Sequence, residues 1–302
     1  MKKNSKNIVQ SRLFGGLGNQ LFIYAFSKAM ALRNNADLEL DIKSGFLNDK
    51  KFKRVFELTK LDLDFVELKP ISKVKRKLLR YVNFFLPFKM KFCHYEDTSN
   101  FNDLFLHKKI KGKIYFEGYW QNYHYFEDQK KAIKSELYDS LQKLIIDHES
   151  YKLVQDKNCV AIHVRFFDID EPTSSTIMTT CYYKEAVARI SKSVQKPYFL
   201  IFSDNINRAK KLILPILNNN NFIFMDFSQL SLVDEFALMC SCNHFIISNS
   251  TFSWWGAWLG SSIHKQIYAP NIFVPKENGG TWNVEELIPE GWILIDVKPN
   301  EK

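Results

Sequence analysis

Apolar residues along the chain follow two spacings in turn. Short apolar runs recur, and most are followed by a stretch where apolar side chains return every three or four positions. The first run is Ile8 to Leu13. After it, Leu17, Leu21, Ala25, Ala29 and Leu32 share one face of a predicted helix over about 18–34. Strands are expected near 37–41 and 113–117, with helical patterning from about 129 to 148. The second half alternates more cleanly. Its strands are expected at 159–164, 197–202, 222–225, 244–247 and 266–269, and its helices at about 181–193, 205–219, 230–241 and 251–260. Such alternation predicts parallel sheets covered by helices on both faces. The expected fold class is α/β, with two Rossmann-like domains facing across a cleft. An N-terminal domain is expected over 1–150 and a C-terminal one over 151–302.

Candidate chemistry gathers where predicted strands meet predicted helices. The strand ending at Ile247 runs into Ser248-Asn249-Ser250-Thr251-Phe252-Ser253, then into the aromatic helix Trp254-Trp255-Gly256-Ala257-Trp258. Ser, Asn and Thr there are natural N-caps, and the helix start presents free N–H groups and a positive dipole end. That combination can hold a phosphate or diphosphate. A plainly capped core helix is the alternative. A second strand, Cys159 to Val164, delivers His163 and Arg165 to its carboxyl end, where ligands of open α/β sheets collect. Arginine offers a fixed fork of donors to phosphate, though an ordinary surface arginine would read the same way. The third junction, Gly15-Gly16-Leu17-Gly18-Asn19-Gln20, follows the first strand. Its glycines allow close backbone approach to a ligand, but the spacing meets neither the dinucleotide fingerprint nor the P-loop. Here Asn19 is either a helix cap or, with Gln20 and Gly16, part of a sugar- or phosphate-binding edge.

Composition narrows the class. The chain has 302 residues, 46% of them hydrophobic and 15% aromatic, enough for a full core in one large or two medium domains. It contains no apolar run long enough to cross a membrane, and no signal-type apolar core follows the charged start. A cytoplasmic protein is expected. Its five cysteines form no Cys-x-x-Cys pair and its histidines are scattered, so reduced thiols and no metal site are expected. The net charge of +9 is local: residues 43–92 hold 14 Lys+Arg against 5 Asp+Glu, and 14 − 5 = 9. Within this basic insertion, Lys73 to Arg80 precede the aromatic run Phe84-Phe85-Leu86-Pro87-Phe88. A peripheral membrane contact through 73–92 is one reading, and a solvated helix leading into the core is the other. Nucleic-acid binding is disfavoured, because no recognisable module accompanies the basic segment.

Five motifs, in order, carry a resemblance. They are Gly15-Gly16-Leu17-Gly18-Asn19-Gln20-Leu21-Phe22, Phe116-Glu117-Gly118-Tyr119-Trp120-Gln121, His163-Val164-Arg165, Phe202-Ser203-Asp204, and Ser248 through Trp258. Together they resemble the bacterial α-1,2-fucosyltransferases of glycosyltransferase family eleven over nearly the whole chain. One position departs: the family's second adjacent arginine is Phe166 here. The resemblance implies a GT-B-type fold. It also implies inverting transfer of L-fucose from GDP-fucose to a galactose 2-hydroxyl of an oligosaccharide or lipid-linked glycan, without a metal. On that reading Arg165 and the helix start at 250–253, with Asn249, Ser250, Thr251 and Ser253, hold the diphosphate, and His163 assists. Ser203 and Asp204 lie on the donor, with Asp204 accepting from the guanine edge; capping of the next helix is the alternative. Asp168, Asp170 and Glu117 are candidate acceptor bases, and Asp168 could instead orient Arg165. Trp120 is a candidate sugar-stacking ring or a core residue. A transferase of other linkage, or a non-catalytic nucleotide-sugar or glycan binder, would preserve much of this pattern.

Overall fold

The computed structural model describes residues 6–96, 100–145, 149–167, 178–217, 220–226, 230–271 and 284–297; Asp168 and Asp170 lie outside them. The chain divides into two compact units, 1–137 and 138–302. The division falls inside the helix Lys130–Ile145.

In the first unit β1 (Ile8–Arg12) leads into α1 (Leu17–Asn34) and β2 (Asp37–Asp41). The basic insertion follows. It contributes the two-residue β3 (Val66–Glu67) and α2 (Lys73–Phe84), then β4 (Cys93–Tyr95). After β5 (Lys113–Glu117) comes α3 (Lys130–Ile145), which crosses the junction. The sheet has the order β3-β2-β1-β5-β4, with every pairing parallel. Strand order therefore reverses between β1 and β5. Helix α1 is buried on nearly all sides rather than on the single face its spacing predicts. It stops at Asn35, whose left-handed backbone (φ 45°) lets its N–H return to the Ala31 and Leu32 carbonyls.

Aromatic rings fill this unit's core, and Trp120 is at its centre. Its indole stacks on Phe26, with centroids 4.1 Å apart and planes nearly parallel at 5°, and meets Phe105, Phe116 and Tyr125 edge-on. Only 1% of Trp120 is exposed. Both faces of the ring are thus committed to packing, and the sugar-stacking expectation is corrected to a core role. Trp120→Ala is expected to cost about 3–5 kcal/mol of stability by the usual penalty for deleting a large buried ring. Urea unfolding checks this; an unchanged midpoint would return Trp120 to the surface.

The second unit opens with α4 (Glu149–Asp156) and β6 (Cys159–Val164), followed by α5 (Thr180–Ser193) and β7 (Tyr198–Ser203). Next come α6 (Ile206–Leu217), β8 (Asn221–Phe224), α7 (Leu232–Cys240) and β9 (His244–Ile246). The chain then forms α8 (Thr251–Leu259), β10 (Ile267–Pro270), α9 (Val284–Leu287) and β11 (Ile293–Ile295). All pairings are again parallel, in the order β11-β10-β9-β6-β7-β8. This is the doubly wound Rossmann order, reversing between β6 and β9. Strand β6 lies at the middle and every residue of it is buried, as expected for a strand covered on both faces. Helix α8 packs tightly on α7: a Cβ on Gly256 would meet the Met239 sulfur at 2.7 Å.

Candidate active site at the strand reversal of the second unit

Three of the predicted motifs reach the carboxyl ends of three adjacent strands, β9, β6 and β7. His163 is in the last turn of β6, and its Nδ1 lies 2.8 Å from the Ser248 hydroxyl just after β9. That bond spans the reversal itself. Two tyrosines of α5 support the edge from below. Tyr183 donates to the His163 carbonyl at 2.9 Å, and Tyr182 donates to the carbonyls of Ile247 (2.6 Å) and Tyr268 (3.2 Å). Their hydroxyls tie α5 to the carboxyl ends of β6, β9 and β10. Nothing in the sequence marked them, since Tyr182-Tyr183 reads as ordinary helix core.

His163 is buried against Phe252, with ring centroids 5.5 Å apart. Desolvation first, then the nearby Arg165 charge, hold its imidazole down at about 3. It is therefore neutral near pH 7 and acts as a hydrogen-bonding strut between β6 and the α8 start, not as a cation.

Past Val164 the chain turns sharply, and Asp204 organises the turn. Its Oδ1 accepts the Phe166 N–H at 3.0 Å, and its Oδ2 accepts the Phe167 N–H at 3.0 Å and faces Arg165 Nη1 at 3.2 Å. Phe167 has a left-handed backbone (φ 59°), which is costly for a bulky residue and persists only when its surroundings enforce it. The Asp204 carboxylate supplies that enforcement. Its side chain is 11% exposed and that of Arg165 is 22% exposed, so the guanidinium is steered while part of it stays accessible. The carboxylate expected to accept from the guanine edge is thus already engaged by the turn at Arg165–Phe167. The helix-capping alternative falls instead to Asn205, whose Oδ1 accepts the Arg208 N–H. Ser203 likewise stays local, its hydroxyl accepting the Asn205 N–H at 3.1 Å.

Phe166 is buried in the second unit's core, with the Arg208 guanidinium 4.3 Å above its ring. An apolar residue there completes packing that a second arginine would have to leave.

At the other side of the reversal, α8 begins at Thr251 with Ser250 as N-cap, its hydroxyl accepting the Phe252 N–H at 3.4 Å. Ser253 is fully buried and donates back to the Ser250 carbonyl. The Asn249 side chain is buried and Thr251 is half-buried at the helix mouth. The anion-binding capacity therefore lies mainly in the helix-start N–H groups, and the serine hydroxyls shape the backbone.

Glu235, in the first turn of α7, belongs to the same electrostatic neighbourhood and was not foreseen. Desolvation pushes it up to about 7, with Asp204 adding to the rise and Arg165 opposing it. The only local signal was the capping box of Ser231 and Asp234, which fixes where α7 begins.

Residues assigned from the first unit behave differently. The N-cap of α1 is Gly16, without a side-chain bond, so the capping alternative for Asn19 does not hold. Asn19 instead accepts from the Gln121 amide at 2.6 Å, bridging the β1/β5 reversal. Gln20 is fully buried: it donates to the Gly15 and Val55 carbonyls and accepts the Glu57 N–H, so its amide organises a loop and is not presented to a ligand. Glu117 is held by Arg12 at 3.0 Å and Arg76 at 3.4 Å and accepts from the Tyr115 hydroxyl. Its carboxylate is thus engaged within the first unit. Among the described residues, no three His, Cys, Asp or Glu side chains gather as a metal site.

The sequence model "Glycosyl transferase family 11" matches residues 9–296. The chain belongs to glycosyltransferase family 11. An α-1,2-colitosyltransferase of Escherichia coli is 28% identical over 297 residues, covering 96% of this chain and 99% of the relative. The O-antigen biosynthesis glycosyltransferase WbnK of Escherichia coli is 28% identical over 311 residues, covering 94% and 99%. A galactoside α-(1,2)-fucosyltransferase 1 of Saimiri sciureus is 22% identical over 192 residues, covering 60% of this chain and 49% of the relative.

Two outcomes follow from the site. Asp204→Ala in the transferase is expected to lower kcat as well as raise the donor KM, because the Arg165 turn loses its anchor; a change in KM alone would restore a purely substrate-contacting role. Stability should also depend on pH. The unfolded histidine takes up a proton near 6.5, whereas folded His163 resists it down to about 3, so stability present above pH 6.5 is lost as pH falls through that window. His163→Gln should flatten the decline in the urea midpoint between pH 7 and 5; an unaltered decline would place it elsewhere, such as at buried His94, which is also held down at about 3, mainly by desolvation.

Proposed function

We propose that the chain transfers L-fucose from GDP-fucose to the 2-hydroxyl of a galactose residue in a glycan, with inversion and without a metal. The reading rests on one observation: Arg165 follows β6 and the start of α8 follows β9, and these adjacent strand ends are tied by the His163–Ser248 bond. Glycosyl transfer from a nucleoside diphosphate builds negative charge on the departing diphosphate. Donors already fixed where that charge develops are commonly the largest catalytic term. Arg165 supplies two N–H groups of one fork, and α8 supplies backbone N–H groups and its positive dipole end. Asp204 keeps the fork aimed, and neutral His163 avoids placing a second, repelling charge beside it. Family membership supports the reaction class, and the 1,2 linkage is common to the names of two of the relatives. With Glu117 paired to arginines, Asp168 is the carboxylate proposed to accept the proton of the acceptor hydroxyl, and Asp170 is its alternative.

A second reading differs in the donor sugar. The Escherichia coli relative that aligns over 96% of this chain is a colitosyltransferase, so colitose is the competing sugar on the same linkage.

Purified enzyme given GDP-fucose or GDP-colitose with galactose-terminated acceptors separates the readings by kcat/KM and product linkage. An α-1,2-fucosylated galactose is the expected product. Arg165→Ala is expected to lower kcat on the order of 10²–10³-fold, the usual effect of losing one such donor, while EDTA leaves the rate unchanged. Near wild-type turnover in Arg165→Ala would remove the proposed diphosphate site, and a Mg²⁺- or Mn²⁺-restorable loss in EDTA would remove metal independence.

A further inference from the structure

Helix α2 is attached to the first unit by one face only. Asn83 is buried there; its Oδ1 accepts the Phe92 and Cys93 N–H groups and its Nδ2 donates to the Cys93 carbonyl. The Leu79 carbonyl accepts the Cys93 thiol, and the Arg76 carbonyl accepts the Tyr95 hydroxyl at 2.9 Å. The Arg76 guanidinium reaches Ile71, Ser44 and Glu117. Positions 76, 79 and 83 recur at helical spacing and define the docked face.

Val74, Leu78, Tyr81, Val82 and Phe85 also recur at helical spacing, on the opposite face. They are 46–79% exposed. A surface helix ordinarily turns its apolar stripe inward, whereas this one turns it out. Phe84 borders the stripe and is also exposed, and the Tyr81, Phe84 and Phe85 rings pack edge-on at 5.3–5.5 Å. By helix geometry, Lys73, Lys77 and Arg80 run along one border and Lys75 lies on the other. Lys89 and Lys91 follow in the next turn. No acidic residue occurs between Glu67 and Glu96.

From this arrangement we propose that α2 is an interfacial helix that seats the protein on an anionic lipid bilayer, its apolar stripe in the acyl boundary and its lysines at the lipid phosphates. An apolar strip bordered by cations alone matches a surface that is apolar within and negative at its rim. A second copy fits poorly, because a two-fold contact through this face would oppose like-charged borders. The inference stands on the first unit alone and is independent of which sugar is transferred.

Co-sedimentation of the full chain with phosphatidylcholine vesicles, with or without phosphatidylglycerol, tests it. Binding is expected only to the anionic vesicles and should weaken with salt. Lys73→Gln/Lys77→Gln should cut the partition coefficient on the order of 30-fold, at roughly fivefold per lysine near a charged surface. Leu78→Ser/Phe85→Ser should abolish binding without lowering the thermal unfolding midpoint, since both side chains are exposed. Three results would overturn the proposal: no binding to anionic vesicles, equal binding by wild type and Leu78→Ser/Phe85→Ser, or a concentration-dependent dimer that this double substitution dissolves.

Discussion

One carboxylate sets the geometry on which the candidate site depends. A largely covered charge must be paired, and Asp204 is paired by two backbone N–H groups and a guanidinium, all from the chain just past β6. The same three bonds hold Phe167 in a left-handed backbone and aim Arg165. Because β6 and β7 are neighbours in register through Val164 and Ser203, the carboxylate can reach across to the turn without distortion. The site's cation is thus positioned by the sheet's own pairing rather than by a flexible loop.

On the other side of β6, the constraint is burial. His163 sits where a charged imidazole would be penalised twice, by desolvation and by Arg165. A neutral ring bonded to Ser248 ties the two strands across the reversal at little electrostatic cost. Tyr182 and Tyr183 do the same for the carbonyls beneath. His163, Ser248 and the carbonyls of His163 and Ile247 are thereby paired within the scaffold, while the Arg165 guanidinium stays partly accessible.

The first unit shows that membership in a long motif does not imply contact with a ligand. In it, Gln20 braces residues 55–57, Trp120 packs the core and Glu117 pairs with two arginines. The motif glycines are equally architectural. A Cβ on Gly15, at φ 79°, would meet the Asn19 amide at 2.8 Å, and one on Gly118 would meet Glu96 at 2.3 Å. These are close approaches that only glycine permits.

Local spacing in the sequence determined the elements. Each predicted strand and helix of the second half is present within a few residues, because buried parallel strands and their covering helices leave unmistakable apolar patterns. The sequence also placed Arg165, Asp204 and Ser250 at strand ends. It could not tell which side chains the protein would consume for itself. Whether a carboxylate faces a guanidinium, a tryptophan meets a phenylalanine or an apolar helix face turns outward is decided by residues dozens of positions away, brought together only when the sheets assemble. The pairing of Asp204 with Arg165 across 39 positions and the outward stripe of α2 were therefore tertiary decisions: local periodicity records that a face exists, but not what it will touch.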